Sequence, residues 1–98
     1  MTPNAKWILT YASCGDELYL ADAEVYGTWQ EALDAAREKL LDNIEIDLNE
    51  PDEVRDALSE AHTELDGVAA EQPFDISVAN AETLTNWEWR VAVQKVLL

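Results

Sequence analysis

The 98-residue sequence is short of the groups from which most enzymatic sites are built: it has one histidine, His62, one cysteine, Cys14, and three widely separated glycines. A lone thiol makes no internal disulfide. With no neighbouring base to lower its pKa, Cys14, set before Gly15 in a turn-like stretch, is a poor nucleophile. No Gly-rich phosphate loop follows a strand pattern, which argues against P-loop and dinucleotide chemistry. Long apolar runs are missing too. Val91 to Val93 and Val96 to Leu98 fall far short of the roughly 20 residues that cross a bilayer, so no membrane association is expected. The first residues lack the basic start and apolar run of a signal peptide, and the expected compartment is the reducing cytoplasm.

Positive charge is scarce, with 6 Lys and Arg against 21 Asp and Glu and a formal net charge of −15. The imbalance is localised. Nineteen of the acids fall between Asp16 and Asp75, where Arg37, Lys39 and Arg55 are the only bases and the sum is −16. Outside that stretch Lys6, Arg90 and Lys95 outweigh Glu82 and Glu88 by +1. A field of this sign repels nucleic acid and anionic membranes and attracts basic protein surfaces. Disorder is not the expectation, because 48% of the residues are hydrophobic and Trp7, Trp29, Trp87 and Trp89 join three tyrosines and a phenylalanine. One folded domain over residues 1–98 is predicted.

Residues 6–12, KWILTYA, and 18–26, LYLADAEVY, carry the aromatic and β-branched types of strands, and the SCGDE segment between them has turn chemistry. Thr28 followed three residues later by Glu31 is a capping-box signature for a first helix. On that helix Trp29, Ala32, Leu33, Ala36 and Leu40 share one side, while Glu31, Asp34, Glu38 and Asp42 share the other. Asn49 as cap and Pro51 in the first turn open a second helix, which Gly67 stops. Its core face is predicted as Val54, Leu58, Ala61 and Leu65, and its outer face as Asp52, Asp56, Glu60 and Glu64 with Glu53 beside them. The connector DNIEIDLNE adds Asp42, Glu45, Asp47 and Glu50 and joins the two acidic faces, with a short extended piece expected from Glu45 to Leu48. FDISVA and NWEWRVAVQKV then read as strands about a turn at Asn80 to Thr83. The expected fold is α+β: an antiparallel sheet of two hairpins in the order ββααββ, with both amphipathic helices packed on one face.

Catalytic and metal chemistry find little support in this pattern. His62 sits at the edge of the second helix's apolar face, where a half-exposed structural role is expected. Carboxylates are so numerous that no pair stands out as acid and base without a pocket signature. A calcium loop counted from Glu45 fails, because its sixth position is Glu50 rather than glycine, Pro51 follows, and its twelfth is Asp56 rather than glutamate. Trp29, Trp87 and Trp89 fall on apolar faces and read as core, while Trp7 is expected to be partly exposed. The expectation is a non-enzymatic protein without cofactor or metal.

Three explanations address the acid. Adaptation to a salty cytoplasm would spread carboxylates over every exposed segment, whereas the two ends of this chain are nearly neutral. Mimicry of a nucleic-acid backbone is geometrically permissive. Four helical residues advance roughly 6 Å, and two adjacent stripes approach the roughly 3.4 Å charge spacing of a DNA strand. An immunity protein or antitoxin gripping a basic nuclease toxin would use the same carboxylates. The candidate partner-binding residues are Glu31, Asp34, Glu38, Asp42, Glu45, Asp47, Glu50, Asp52, Glu53, Asp56, Glu60 and Glu64.

In size, charge and the run from Asp42 to Glu64, the chain resembles the small acidic inhibitors of phages and mobile elements, including anti-CRISPR and anti-restriction nucleic-acid mimics. That resemblance implies a basic nucleic-acid-binding protein or complex as partner, such as a CRISPR effector or a nuclease, in a host bacterial cytoplasm. Direct nucleic-acid binding is not expected.

Overall fold

In the computed structural model, which describes residues 5–15, 18–80 and 87–97, the chain forms six elements. Strands β1 (Ala5–Gly15) and β2 (Leu18–Tyr26) pair antiparallel with Trp7 opposite Tyr26. Helices α1 (Trp29–Asp47) and α2 (Pro51–Asp66) follow, and β3 (Phe74–Asn80) and β4 (Trp87–Leu97) close a second antiparallel pair with Ile76 opposite Val91. This is the α+β, ββααββ arrangement that the sequence predicts. The sheet order is β2-β1-β4-β3, because β1 also pairs antiparallel with β4 from Ala5 opposite Leu97 to Cys14 opposite Glu88. The first and last strands therefore fill the centre of the sheet. Among the described residues no helix is long and apolar enough to cross a membrane.

Opposed residues of an antiparallel ladder project to the same face. Trp7, Leu9 and Tyr11 of β1, Ile76 and Val78 of β3, and Trp89, Val91 and Val93 of β4 are all buried on the face beneath the helices. Each such large apolar side chain contributes on the order of 1.5–3 kcal/mol by leaving water. Trp7 is buried rather than partly exposed: it lies against the helix layer, and the Lys95 Nζ stands 5.7 Å from its ring centroid. Trp87 stacks on Trp89 with ring centroids 6.1 Å apart.

Thr28 caps α1 as predicted, its hydroxyl oxygen accepting the Glu31 N–H at 3.1 Å. The helix then runs through the segment expected to be partly extended. The alternation of IEID resembles a strand, but Ile44 falls four residues after Leu40 and continues the buried row Trp29, Leu33, Ala36, Leu40. No helix breaker intervenes before Pro51, so Asp42, Glu45 and Asp47 are helical and only Leu48 to Glu50 connects the helices.

The cap of α2 is Glu50 rather than Asn49, with no side-chain cap bond and Pro51 at the helix start. Its fully buried row is Ala57, Ala61 and Leu65. Val54 and Leu58 flank that row half-buried, one step round from the predicted centre. Gly67 ends the helix in a right-handed conformation, its N–H reaching the Glu64 carbonyl at 3.2 Å while the Val68 N–H reaches that of Leu65 at 3.4 Å. Strand β1 continues through Ser13, Cys14 and Gly15, so the predicted turn does not begin at Ser13, which is buried. The turn expected near Asn80 to Thr83 lies mostly outside the described residues.

Candidate partner-binding face

Both helices keep their apolar rows on the sheet, and this turns their carboxylates outward. On α1, Glu31, Asp34, Glu38, Asp42 and Glu45 are exposed; on α2, Asp52, Asp56, Glu60 and Glu64 are exposed, as is Glu50 between the helices. Glu53 is half-buried. A four-residue step overshoots one turn by about 40°, so Glu64 stands about 120° round the helix from Asp52. Asp66 faces α1, reaching Arg37 at 3.9 Å, and Glu64 projects from nearly the opposite side of α2. The acids thus form two ridges, one on each helix, with the Arg37–Asp66 contact between them.

Asp47 departs from the expected site. It is half-buried and its Oδ2 accepts the Trp89 indole N–H at 2.8 Å, so its position at the last turn of α1 fixes the helix end to the core. Nearby, the buried Tyr11 hydroxyl has no hydrogen-bond partner among the described residues. Burial raises its pKa and Asp47 adds to the effect, with Ser13 and Lys39 opposing. His62 is exposed rather than half-buried.

The three bases of the acidic segment are already engaged. Arg55 lies 3.5 Å from Asp52 and 3.4 Å from Asp56, and Arg37 contacts Asp66. Lys39 reaches across to the edge strand, 3.1 Å from Asp22 and 3.3 Å from Glu24. The Lys39 hydrogen bond holds the Asp22 carboxyl below the usual range; for Glu24 the Tyr26 hydroxyl does so first, with Lys39 second. Lys39 is raised in turn, chiefly by its bond to Asp22. Among the described residues, Glu38, Asp42, Glu45, Glu60 and Glu64 have no cation within 4.0 Å.

The Lys39 cluster is absent from the predicted site, although a signal for it exists. In LYLADAEVY the period-two alternation puts Asp22, Glu24 and Tyr26 on one face, opposite Tyr11, Leu9 and Trp7. Core-facing acids on an edge strand require a cation from the layer above, and Lys39 supplies it. Beside this cluster a cleft of about 440 Å³ opens between α1 and β2, lined by Glu24, Tyr26, Ala35, Glu38, Lys39, Asp42, Asn43 and Ile46. Ile46 is 73% exposed at its rim. The cleft combines free carboxylates with apolar and aromatic surface, a composition suited to a long cationic side chain. Among the described residues no three His, Cys, Asp or Glu converge as a metal site does.

No protein-family model, curated protein or solved structure matches this chain.

Proposed function

We propose that this chain is a non-enzymatic inhibitor that occupies the basic nucleic-acid-binding surface of a partner protein or complex, its two helix ridges standing in for a phosphate backbone. The observation that carries the reading is the imbalance on the helices. Arg37, Lys39 and Arg55 are each engaged by neighbouring acids, whereas Glu38, Asp42, Glu45, Glu60 and Glu64 remain exposed without a cation among the described residues. Crowded like charges cost stability through self-repulsion, and a cationic partner offsets that cost. Among the described residues, the carboxylates whose pKa values move, Asp22, Glu24 and Asp75, are lowered through hydrogen bonds and ion pairs, not raised by burial as a catalytic acid would be.

An exposed ion pair is worth only about 0.2–1 kcal/mol, so affinity rests on many pairs or on a few bidentate arginines. The cleft beside Glu38 and Asp42 would seat one such arginine, its stem against Ile46 and its guanidinium near Tyr26. A basic complex of the CRISPR or restriction kind is the partner implied by the resemblance to acidic phage inhibitors.

The test is capture of partners from the native host at low salt with release at high salt. Wild type is expected to retain a nucleic-acid-binding complex. A folded variant carrying Asp52→Asn, Asp56→Asn, Glu60→Gln and Glu64→Gln is expected to lose it. Undiminished capture by that variant would sink the assignment of α2, and recovery of a dedicated nuclease toxin would replace inhibition of a nucleic-acid complex with immunity.

A further inference from the structure

The helices cover one face of the sheet, and among the described residues nothing covers the other. The ladder places Val25, Ile8 and Gln94 in one row of that bare face, Ala23, Thr10, Ala92 and Asp75 in the next, and Ala21, Ala12, Arg90 and Ser77 in a third. Towards β2 and β1 it therefore carries mostly small or apolar side chains. Val25 is 63% exposed there, and Ala23 and Thr10 are exposed beside it.

Charge separates this face from the rest of the molecule. Among the described residues it holds Lys6, Arg90, Asp75 and Glu88, two of each sign, against a chain total of −15. Arg90 also pairs with Asp75 in a two-pronged contact, and Glu88 accepts the Ser77 hydroxyl at 3.1 Å. Two copies of so acidic a chain repel through their helix ridges at any approach. The bare sheet is the described surface where they can meet without stacking like charges.

We propose that the uncovered sheet face is a self-association surface, on which two copies pack back to back about a two-fold axis through the Thr10, Ala23 and Ala92 region. Small side chains there suit sheet-on-sheet packing at about 10 Å. Four strands about 4.8 Å apart and eight residues of about 3.4 Å each span on the order of 500 Å² per partner, below the roughly 800 Å² of a standard stable interface. The dimer is accordingly a weak, reversible one. Its two ridge pairs point in opposite directions, giving one particle with two acidic faces.

Sedimentation across a concentration series tests this. Wild type is expected to pass from 11.0 kDa towards twice that mass. Because a two-fold interface meets each substitution twice, Ala23→Arg or Thr10→Arg should weaken association by at least about tenfold. Circular dichroism and the urea midpoint establish that each variant is folded, and Ser59→Arg, on the outer side of α2, should leave association intact. Added salt should tighten the dimer by screening the repulsion between the two chains, the opposite of its effect on an ionic partner. A wild type that stays at 11.0 kDa throughout, association undiminished in both folded arginine variants, or a dimer dissolved by salt would each overturn the proposal. Partner capture can succeed or fail whatever this result, so the two readings fall separately.

Discussion

Replacing Glu60 and Glu64 together by glutamine should stabilise the isolated protein. Both carboxylates are exposed, neither has a cation within 4.0 Å among the described residues, and they continue the i, i+4 row that begins at Asp52 and Asp56. Like charges at that spacing destabilise a helix by about 0.2–0.5 kcal/mol per pair, and the exchange removes the Asp56–Glu60 and Glu60–Glu64 repulsions. Glu64 also lies in the last turn of α2, which has no basic residue, where the helix dipole disfavours an anion by about 0.3–1 kcal/mol. Glutamine and glutamate have nearly equal helix propensity, so little is lost.

The expected gain is about 0.7–2 kcal/mol at low salt, or roughly a one-molar rise in urea midpoint for a slope near 1 kcal/mol per molar. In molar salt the screening length shrinks to about 3 Å and most of the gain should vanish. Urea titrations of both proteins at low and high salt read the difference directly. A destabilised double variant, or a gain of equal size in molar salt, would refute the idea that this ridge is held against its own repulsion.

Trp89→Phe removes the indole donor from half-buried Asp47 and shrinks a fully buried ring, so it should cost about 2–4 kcal/mol in urea denaturation. Asp47→Asn should cost less, because the amide oxygen still accepts; equal losses would speak against an anchoring bond. The contacts of Lys39 predict a pH signature. Asp22 and Glu24 have lowered pKa values when folded, so their contribution is present above the ordinary carboxylate range near about pH 4 and is lost as pH falls through the lowered values. Lys39→Met should therefore lower the urea midpoint at neutral pH, and the gap from wild type should close in acid. A gap that persists undiminished at low pH would contradict the cluster's role.

Most strand and helix identities were legible because the element's apolar spacing agrees with its eventual burial, as Leu9 and Tyr11, Ala32 and Ala36, and Val91 and Val93 illustrate; β2 is the exception, with Val25 exposed on the bare face while Asp22 and Glu24 share the helix side. The outward direction of most of the acids was legible for the same reason, since an amphipathic helix commits its polar side once its apolar row is buried. Local alternation misled at Glu45 to Leu48, where a two-residue period and a four-residue period coexist in NIEIDL. Packing of Ile44 beneath α1 decided between them.

By itself, then, the sequence determined the elements, their class and the sign of the field around them, which are properties of composition and short-range periodicity. Tertiary structure decided what depends on residues far apart in the chain. The pairing of β1 with β4, the capture of Asp47 by Trp89, the Lys39 link from α1 to Asp22 and Glu24, and the separation of the acids into two ridges all belong to it. Those contacts join positions 15 to 92 residues apart, and no local spacing encodes a distance that only the closed sheet brings within a few ångströms.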